Sequence, residues 1–266
     1  MCRWIAYRGQ PIPLEYYVTR PSHSLIAQSM HAFESTAALN GDGFGLGWYG
    51  EHAEPGLYRE LRPAWSDENL RHLCRHLHSR LFFAHVRAAT GTAVTRTNCH
   101  PFASGNWMFM HNGLIGNWSQ LRRDTEALIP DSLYPCRVGT TDSEAIFLAI
   151  LGAGLSADDG AGDPVAAAER TISTITALVR TKGEGAQFRF TAAIANGRDL
   201  YAFRYSANDA GNTLYYRESG LDVVVVSEPL DRDPENWTTV APNTVVIAKA
   251  GLPVEIRPFL PRHAEV

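Results

Sequence analysis

The chain opens Met1-Cys2-Arg3 and runs straight into Trp4-Ile5-Ala6-Tyr7. An apolar run this close to the terminus reads as a short buried first strand, so the fold must draw its own N-terminus inside. Cys2 gives that constraint chemical content. Initiator Met is readily removed ahead of a small side chain, and the mature chain is then expected to begin with a thiol and a free α-amine on one Cα. The two groups titrate near ~8.5 and ~7.7–8.0, so one can take the other's proton, directly or through water. The plain alternative is a small residue at the start of a strand.

Several classes of function fall away on composition. The 266 residues allow one large domain or two small ones, and the 45% hydrophobic, 20% charged composition is that of a globular chain. A net charge of −4 argues against nucleic acid or an anionic membrane as the main partner. No apolar run approaches the ~18–20 residues of a membrane span, and Arg3, Arg8, Pro11 and Pro13 do not fit a signal peptide. The expected location is cytoplasmic. The cysteines Cys2, Cys74, Cys99 and Cys136 lack CxxC spacing and are expected as free thiols.

Along the chain, Gly9 to Pro13 reads as a turn and Ser24 to Phe33 as a helix with Leu25, Ile26, Met30 and Phe33 on one side. Asn40-Gly41-Asp42-Gly43-Phe44-Gly45-Leu46-Gly47-Trp48-Tyr49 has the turn chemistry of a hairpin. Its alternate glycines, however, are poor strand material unless something approaches the backbone closely. Ser66 is expected to cap a helix to about His78. His72 and His76 on it are four apart, but no third ligand is evident, so no metal site and no cofactor is expected.

Arg80 to Arg87 is strand-like and ends in a small-residue loop, where an arginine can offer its fork to a carboxylate. Asn98-Cys99-His100-Pro101 reads as a tight polar corner. Trp107 to His111 is a second strand-like run, closing in Asn112-Gly113. That pair is either a hairpin turn or two donors for an oxyanion, worth typically ~2.7–4 kcal/mol each. Asn117 is expected to cap a helix to about Ile129 with Gln120 reaching back, and Thr141 with Glu144 forms a capping box. Asp142 in that first turn suits the helix dipole and could equally face a cationic ammonium. Asp163-Pro164 starts a helix to about Arg180. From Gln187 on the pattern is β, with Asn196-Gly197 the strongest hairpin signal. With no repeat or long linker, residues 1–266 read as one domain of mixed α and β layers.

In this order, Cys2, Gly41-Asp42-Gly43-Phe44-Gly45, His85-Val86-Arg87-Ala88-Ala89-Thr90, Asn98-Cys99-His100-Pro101, His111-Asn112-Gly113 and Thr141-Asp142-Ser143-Glu144 resemble the motifs of the class II glutamine amidotransferases, members of the N-terminal nucleophile hydrolases. The resemblance covers roughly the first 150 residues. It implies an α+β fold, a four-layer α-β-β-α sandwich with the N-terminal Cys on a central strand. It also implies roles: Cys2 as nucleophile with its α-amine as base, Asn112 and Gly113 as oxyanion hole, Arg87 for the substrate α-carboxylate, Asp142 for the α-ammonium, and Thr90 and His100 shaping the pocket.

Two departures narrow the match. Larger members often have Asp-Ser-Ala-Gly where this chain has Asp42-Gly43-Phe44-Gly45, a form that looks like the small stand-alone branch. Cys99 stands where Ala is commoner. The expected substrate is glutamine or another γ-glutamyl amide. With the chain ending at Val266, ammonia would go to a partner enzyme, or the enzyme would hydrolyse γ-glutamyl peptides or amines. A subunit that only senses a γ-glutamyl ligand is the non-catalytic alternative. Leaving-group selectivity is expected from Gln10 to Ser24, His52 to Ser66 and Leu155 to Asp163, which lie outside the motifs.

Overall fold

The first strand, β1 (Arg3–Pro13), sorts its side chains by alternation. Ile5 and Tyr7 enter one apolar cluster, Trp4 and Ala6 another. A strand buried on both faces must lie inside a layered structure, and it does. In the computed structural model, which describes residues 2–34, 39–89, 91–207 and 211–261, two antiparallel sheets stack between two helical layers.

The elements follow in chain order. After β1 come α1 (Glu15–Val18), α2 (Leu25–Met30), β2 (Phe44–Trp48), β3 (Gly56–Glu60), α3 (Glu68–His76), β4 (His78–Val86), β5 (Phe102–Ser104) and β6 (Trp107–Ile115). Then come α4 (Trp118–Glu126), α5 (Asp142–Gly152), α6 (Pro164–Lys182), β7 (Phe188–Ala195), β8 (Leu200–Ser206), β9 (Tyr215–Ser219), β10 (Asp222–Val226), β11 (Thr238–Thr239), β12 (Thr244–Ala248) and β13 (Glu255–Pro258). The seven-stranded sheet runs β11-β9-β10-β1-β4-β2-β3 and the six-stranded sheet β13-β12-β8-β7-β6-β5. Trp4, Ala6, Phe83, Met108, Met110, Ala193 and Val225 fill the space between the sheets. Helices α1 to α3 cover the outer face of the first sheet, with Leu25, Leu70 and Cys74 packed on Ile5, Phe82 and Ala84. Helices α4 to α6 cover the second. Helix α5 is buried from Ser143 to Leu151, because α4, α6 and β6 surround it. This is the expected four-layer sandwich, with β1 central.

Local expectations met mixed outcomes. The 187–205 hairpin forms, with Asn196 Oδ1 accepting from the Asp199 N–H at 2.9 Å, and Asp163 caps α6 through the Val165 and Ala166 amides. Gly9 to Pro13 is no turn: β1 continues through it with a bulge between Arg8 and Ile12. Helix α2 stops at Met30, which is 46% exposed, and Phe33 beyond it is 51% exposed. Asp67 caps α3 in place of Ser66, accepting from the Leu70 N–H. Asn117 sits at φ 54° and gives its side-chain amide to Gly183 O, leaving the α4 terminus without a side-chain cap. Thr141 caps α5 as expected, but Glu144 turns away to Arg137 and the Gly139 amide.

The glycine-rich stretch is a strand after all. A Cβ on Gly45 would stand 2.1 Å from the His100 carbonyl oxygen, so the lead-in to β5 lies directly on the β2 backbone. Glycine at 45 is what lets the two sheets close there.

Candidate active site

Cys2 comes just before the first pair of the β1–β4 ladder, Arg3 with Val86. It therefore emerges beside the end of β4, where Arg87 and Ala88 follow. The Ala88 N–H points at Cys2 Sγ from 3.5 Å, and Sγ lies 3.6 Å from Ala88 O. Burial pushes the thiol pKa up, against the Ala88 N–H and the Arg87 and Arg3 guanidinium groups, which pull it down. The resting thiol is protonated and needs a base.

Asn112 and Gly113 are not a hairpin turn. Strand β6 runs through them, paired with Thr191 and Phe190 of β7. Alternation sends Met108 and Met110 between the sheets, and Asn112 shares that parity. Its Nδ2 is buried without an acceptor among the described residues, while its backbone carbonyl accepts from Asn212 Nδ2 at 2.8 Å. A buried amide donor with no partner is costly unless a ligand supplies one. At Gly113 a Cβ would meet Arg189 O at 2.1 Å and His111 Nε2 at 2.2 Å, so only glycine fits. A cavity of about 50 Å³ joins these groups, lined by Cys2, Ala88, Asn112, Gly113, Leu114, Arg189 and Asn212.

Of the other expected residues, Arg87, Asp142 and His100 do not line that cavity. Arg87 is buried, with Nη2 donating to Thr92 Oγ1 at 2.7 Å and Ala93 O at 3.3 Å, and Nη1 buried with no partner among the described residues. The Gly-Asp loop fixes this segment. Asp42 N donates to Arg87 O, the Arg87 N–H donates to Gly43 O, and Asp42 Oδ2 accepts from the Ala89 N–H at 2.7 Å. Asp142 accepts from the Ile115 N–H and the Ser143 N–H, both at 2.8 Å, which ties the start of α5 to β6 two residues beyond Gly113. Thr90 lies outside the described residues.

His100 stands one layer behind. Its ring stacks on His85 at 4.2 Å, both of its nitrogens are buried without partners, and burial holds its pKa well below the ordinary value. His85 Nε2 donates to His111 O at 3.3 Å, and burial brings the His85 pKa down to about 3. His111 Nε2 faces Arg189 O at 3.2 Å and Nδ1 faces Ser143 Oγ at 2.9 Å. A carbonyl can only accept, so the proton is on Nε2 and Ser143 donates to Nδ1. Burial also lowers the His111 pKa. The imidazoles behind the cavity are neutral.

The family model for class II glutamine amidotransferases covers residues 20–216. The chain belongs to that family. It is 32% identical to a probable glutamine amidotransferase of Saccharomyces cerevisiae, over 94% of this chain and 82% of the yeast protein. A γ-glutamyl-hercynylcysteine sulfoxide hydrolase of Mycolicibacterium smegmatis is 28% identical, over 90% of this chain and 92% of that protein. Among solved structures, a glutamine aminotransferase class-II domain protein from Silicibacter pomeroyi superposes with a TM-score of 0.73 at 36% identity, covering 97% of this chain and 99% of the other. The fold is that of the N-terminal nucleophile hydrolases.

Sequence reasoning missed Leu114, Arg189 and Asn212 as cavity walls. Leu114 only follows a motif, and Arg189 and Asn212 stand in β-rich sequence without one; the β6–β7 pairing carries Leu114 and Arg189 to Cys2, and the Asn212 bond to the Asn112 carbonyl carries Asn212 there. None of the three segments expected to select the leaving group lines this cavity.

Proposed function

We propose that this amidotransferase-family enzyme hydrolyses a γ-glutamyl amide through a thioester on Cys2. The observation that carries the reading is the single small cavity shared by the Cys2 thiol, the unpaired Asn112 amide and Gly113. Once Met1 is removed, the Cys2 α-amine takes the thiol proton and the thiolate attacks the amide carbon. The resulting oxyanion receives the Asn112 Nδ2–H and the Gly113 N–H. The tetrahedral intermediate collapses as the α-ammonium returns its proton to the leaving nitrogen, and ammonia or an amine departs. Water, deprotonated by the same amine, then cleaves the thioester to release glutamate and restore the thiol. Arg87 and Asp142 provide complements to the α-carboxylate and α-ammonium of the glutamyl end, with Thr90 in its pocket and His100 backing it from one layer behind. The Gly-Asp-Gly-Phe-Gly form supports membership of the small stand-alone branch, built as one domain. The unpaired thiols suit the reducing cytoplasm.

The amine on the γ-carboxyl is either ammonia, as in glutamine with an ammonia-accepting partner enzyme, or a larger group. The second reading draws on the cavity wall beyond Cys2, made by Leu114, Arg189 and Asn212, and on the γ-glutamyl hydrolase relative. Protein lacking Met1 is to be assayed on glutamine, glutathione and a γ-glutamyl anilide, and labelled with a diazo-ketone glutamine analogue. Turnover of at least one substrate is expected, with label on Cys2 and not on Cys74, Cys99 or Cys136. Asn112→Ala should lower kcat by about 10²–10³. A preference of more than about a hundredfold for a conjugate, roughly 2.7 kcal/mol, selects the second reading. Label spread over all the thiols, with no turnover, overturns both.

A further inference from the structure

Behind the nucleophile, on the opposite face of β1, lies a buried charged cluster that this chemistry does not use. Arg3 and Glu228 are each 1% exposed. Arg3 Nε donates to Glu228 Oε2 at 2.7 Å. The other carboxylate oxygen, Oε1, accepts from His23 Nε2 at 2.6 Å and from the Phe33 N–H at 2.7 Å, and Oε2 also takes the Glu34 N–H at 3.2 Å. His23 stacks on the Phe33 ring at 4.1 Å, and its carbonyl accepts from Gln28 Nε2 at 3.0 Å. The cluster sits there because of register. The β1–β10 ladder pairs Ile5 with Val226, Trp4 and Ser227 continue it through the Ser227 N–H to Trp4 O, and Arg3 and Glu228 come next.

The connection to Cys2 is a single bond. Arg3 Nη1 donates to the Cys2 carbonyl at 3.0 Å. Cys2 stands outside the ladder, where a chain end tends to fray, whereas thiol attack demands placement to a fraction of an ångström. An apolar pair would fill the space of Arg3 and Glu228 with less desolvation. It would not donate to the Cys2 carbonyl.

We infer that the His23–Glu228–Arg3 relay is the positioning device of the nucleophile: His23 and the 33–34 backbone fix Glu228, Glu228 fixes Arg3, and Arg3 holds Cys2 from the far face of the sheet. These are positioning residues, since none lines the cavity. The inference rests on Cys2 as nucleophile, and its test separates the two claims.

The full chain lacking Met1 is compared as wild type, Arg3→Lys, Glu228→Gln and His23→Gln. Each is assayed for kcat and KM, and for the peptide-mapped rate of iodoacetamide alkylation at Cys2 relative to the exposed Cys136, which serves as an internal reference. Lysine keeps the charge but cannot bond Glu228 and the Cys2 carbonyl with one planar fork. Arg3→Lys and Glu228→Gln are expected to lower kcat by about tenfold or more with KM within about twofold, and to change the Cys2-to-Cys136 ratio several-fold. His23→Gln leaves the ion pair in place and should lower kcat by about threefold. Folded variants with wild-type kcat and an unchanged ratio, and only a lower Tm, overturn the inference. If the first two do not fold, His23→Gln decides, and wild-type kcat there overturns it. Wild-type protein that neither turns over nor takes the diazo-ketone glutamine analogue at Cys2 sinks the proposed chemistry instead, while the iodoacetamide ratio still tests the relay.

Discussion

Two buried polar clusters back the Cys2 cavity from opposite faces of the first sheet, and although both are buried they are in opposite electrical states. On the helix side, Glu228 has its pKa drawn down to about 2: burial alone would raise it, but His23, the Phe33 and Glu34 amides and Arg3 together outweigh that. Between the sheets, His85 has a pKa near 3 and His100 lies well below its ordinary value, with burial the main cause for both. Of their neighbours only the His111 carbonyl favours a protonated ring, at His85, and burial together with the Arg87 charge outweighs it. Burial does not by itself decide whether a side chain is ionised. The partners decide. One cluster can hold the Cys2 backbone by charge, and the other can keep the Asn112-Gly113 side dry and uncharged.

The sharpest way to break this contrast is to empty one member of each cluster. Glu228→Ala leaves Arg3 buried without its counter-charge and should cost about 3–5 kcal/mol in denaturant unfolding. His85→Phe keeps a ring on His100 and loses one donor to His111 O, and should cost about 0.5–1.5 kcal/mol. Equal losses would mean that the clusters do not differ in the way proposed.

These clusters also mark how far the sequence could be read. Cys2, Asn112-Gly113 and the Gly-Asp loop stood out as candidates because each is local and falls in a motif order. Mixed α and β layers were legible from the apolar first run and from turn chemistry at Asn196-Gly197, while the four-layer order came from the family resemblance. Arg3 and Glu228 were not, since 225 positions separate them and each only ends an apolar run; the sign of a buried pair appears once β10 is placed beside β1. Likewise Asn112-Gly113 has the dipeptide of a turn, and only the apolar Phe188–Ala195 strand beside it shows that β6 continues. Asn117 has the residue type of a cap, but its left-handed backbone and its bond to Gly183 depend on the end of α6, which local sequence does not announce.

A smaller effect probes the neutral cluster alone. Gly45→Ala places a methyl against the His100 carbonyl oxygen, a backbone atom that no rotamer change can move away. The expected cost is about 1–3 kcal/mol, with lower kcat as the His100 segment is displaced. Wild-type stability in the Gly45→Ala protein would show that the sheets can separate there without penalty.

The smallest effect is a pH slope, and it assigns each cluster its own window. His85 ordinarily titrates at 6.5 and in the fold at about 3, so below 6.5 the unfolded chain takes up a proton that the folded chain refuses. Stability therefore rises with pH across that interval and falls on acidification. Between pH 7.5 and 6 one such histidine accounts for about 0.8 kcal/mol. Glu228 works in a lower range. Its carboxylate, at about 2 against an ordinary 4.5, contributes stability that is complete above 4.5 and lost as pH falls toward 2, so it adds no slope between 7.5 and 6. His100 and His111 are displaced in the same direction as His85, and wild type should lose more than the single-histidine amount. His85→Phe should then lose about 0.8 kcal/mol less than wild type over the same interval, measured as denaturant unfolding at the two pH values. An unchanged slope in that variant would place a protonated imidazole inside the dry cluster, and the contrast with Glu228 would fail at its neutral end.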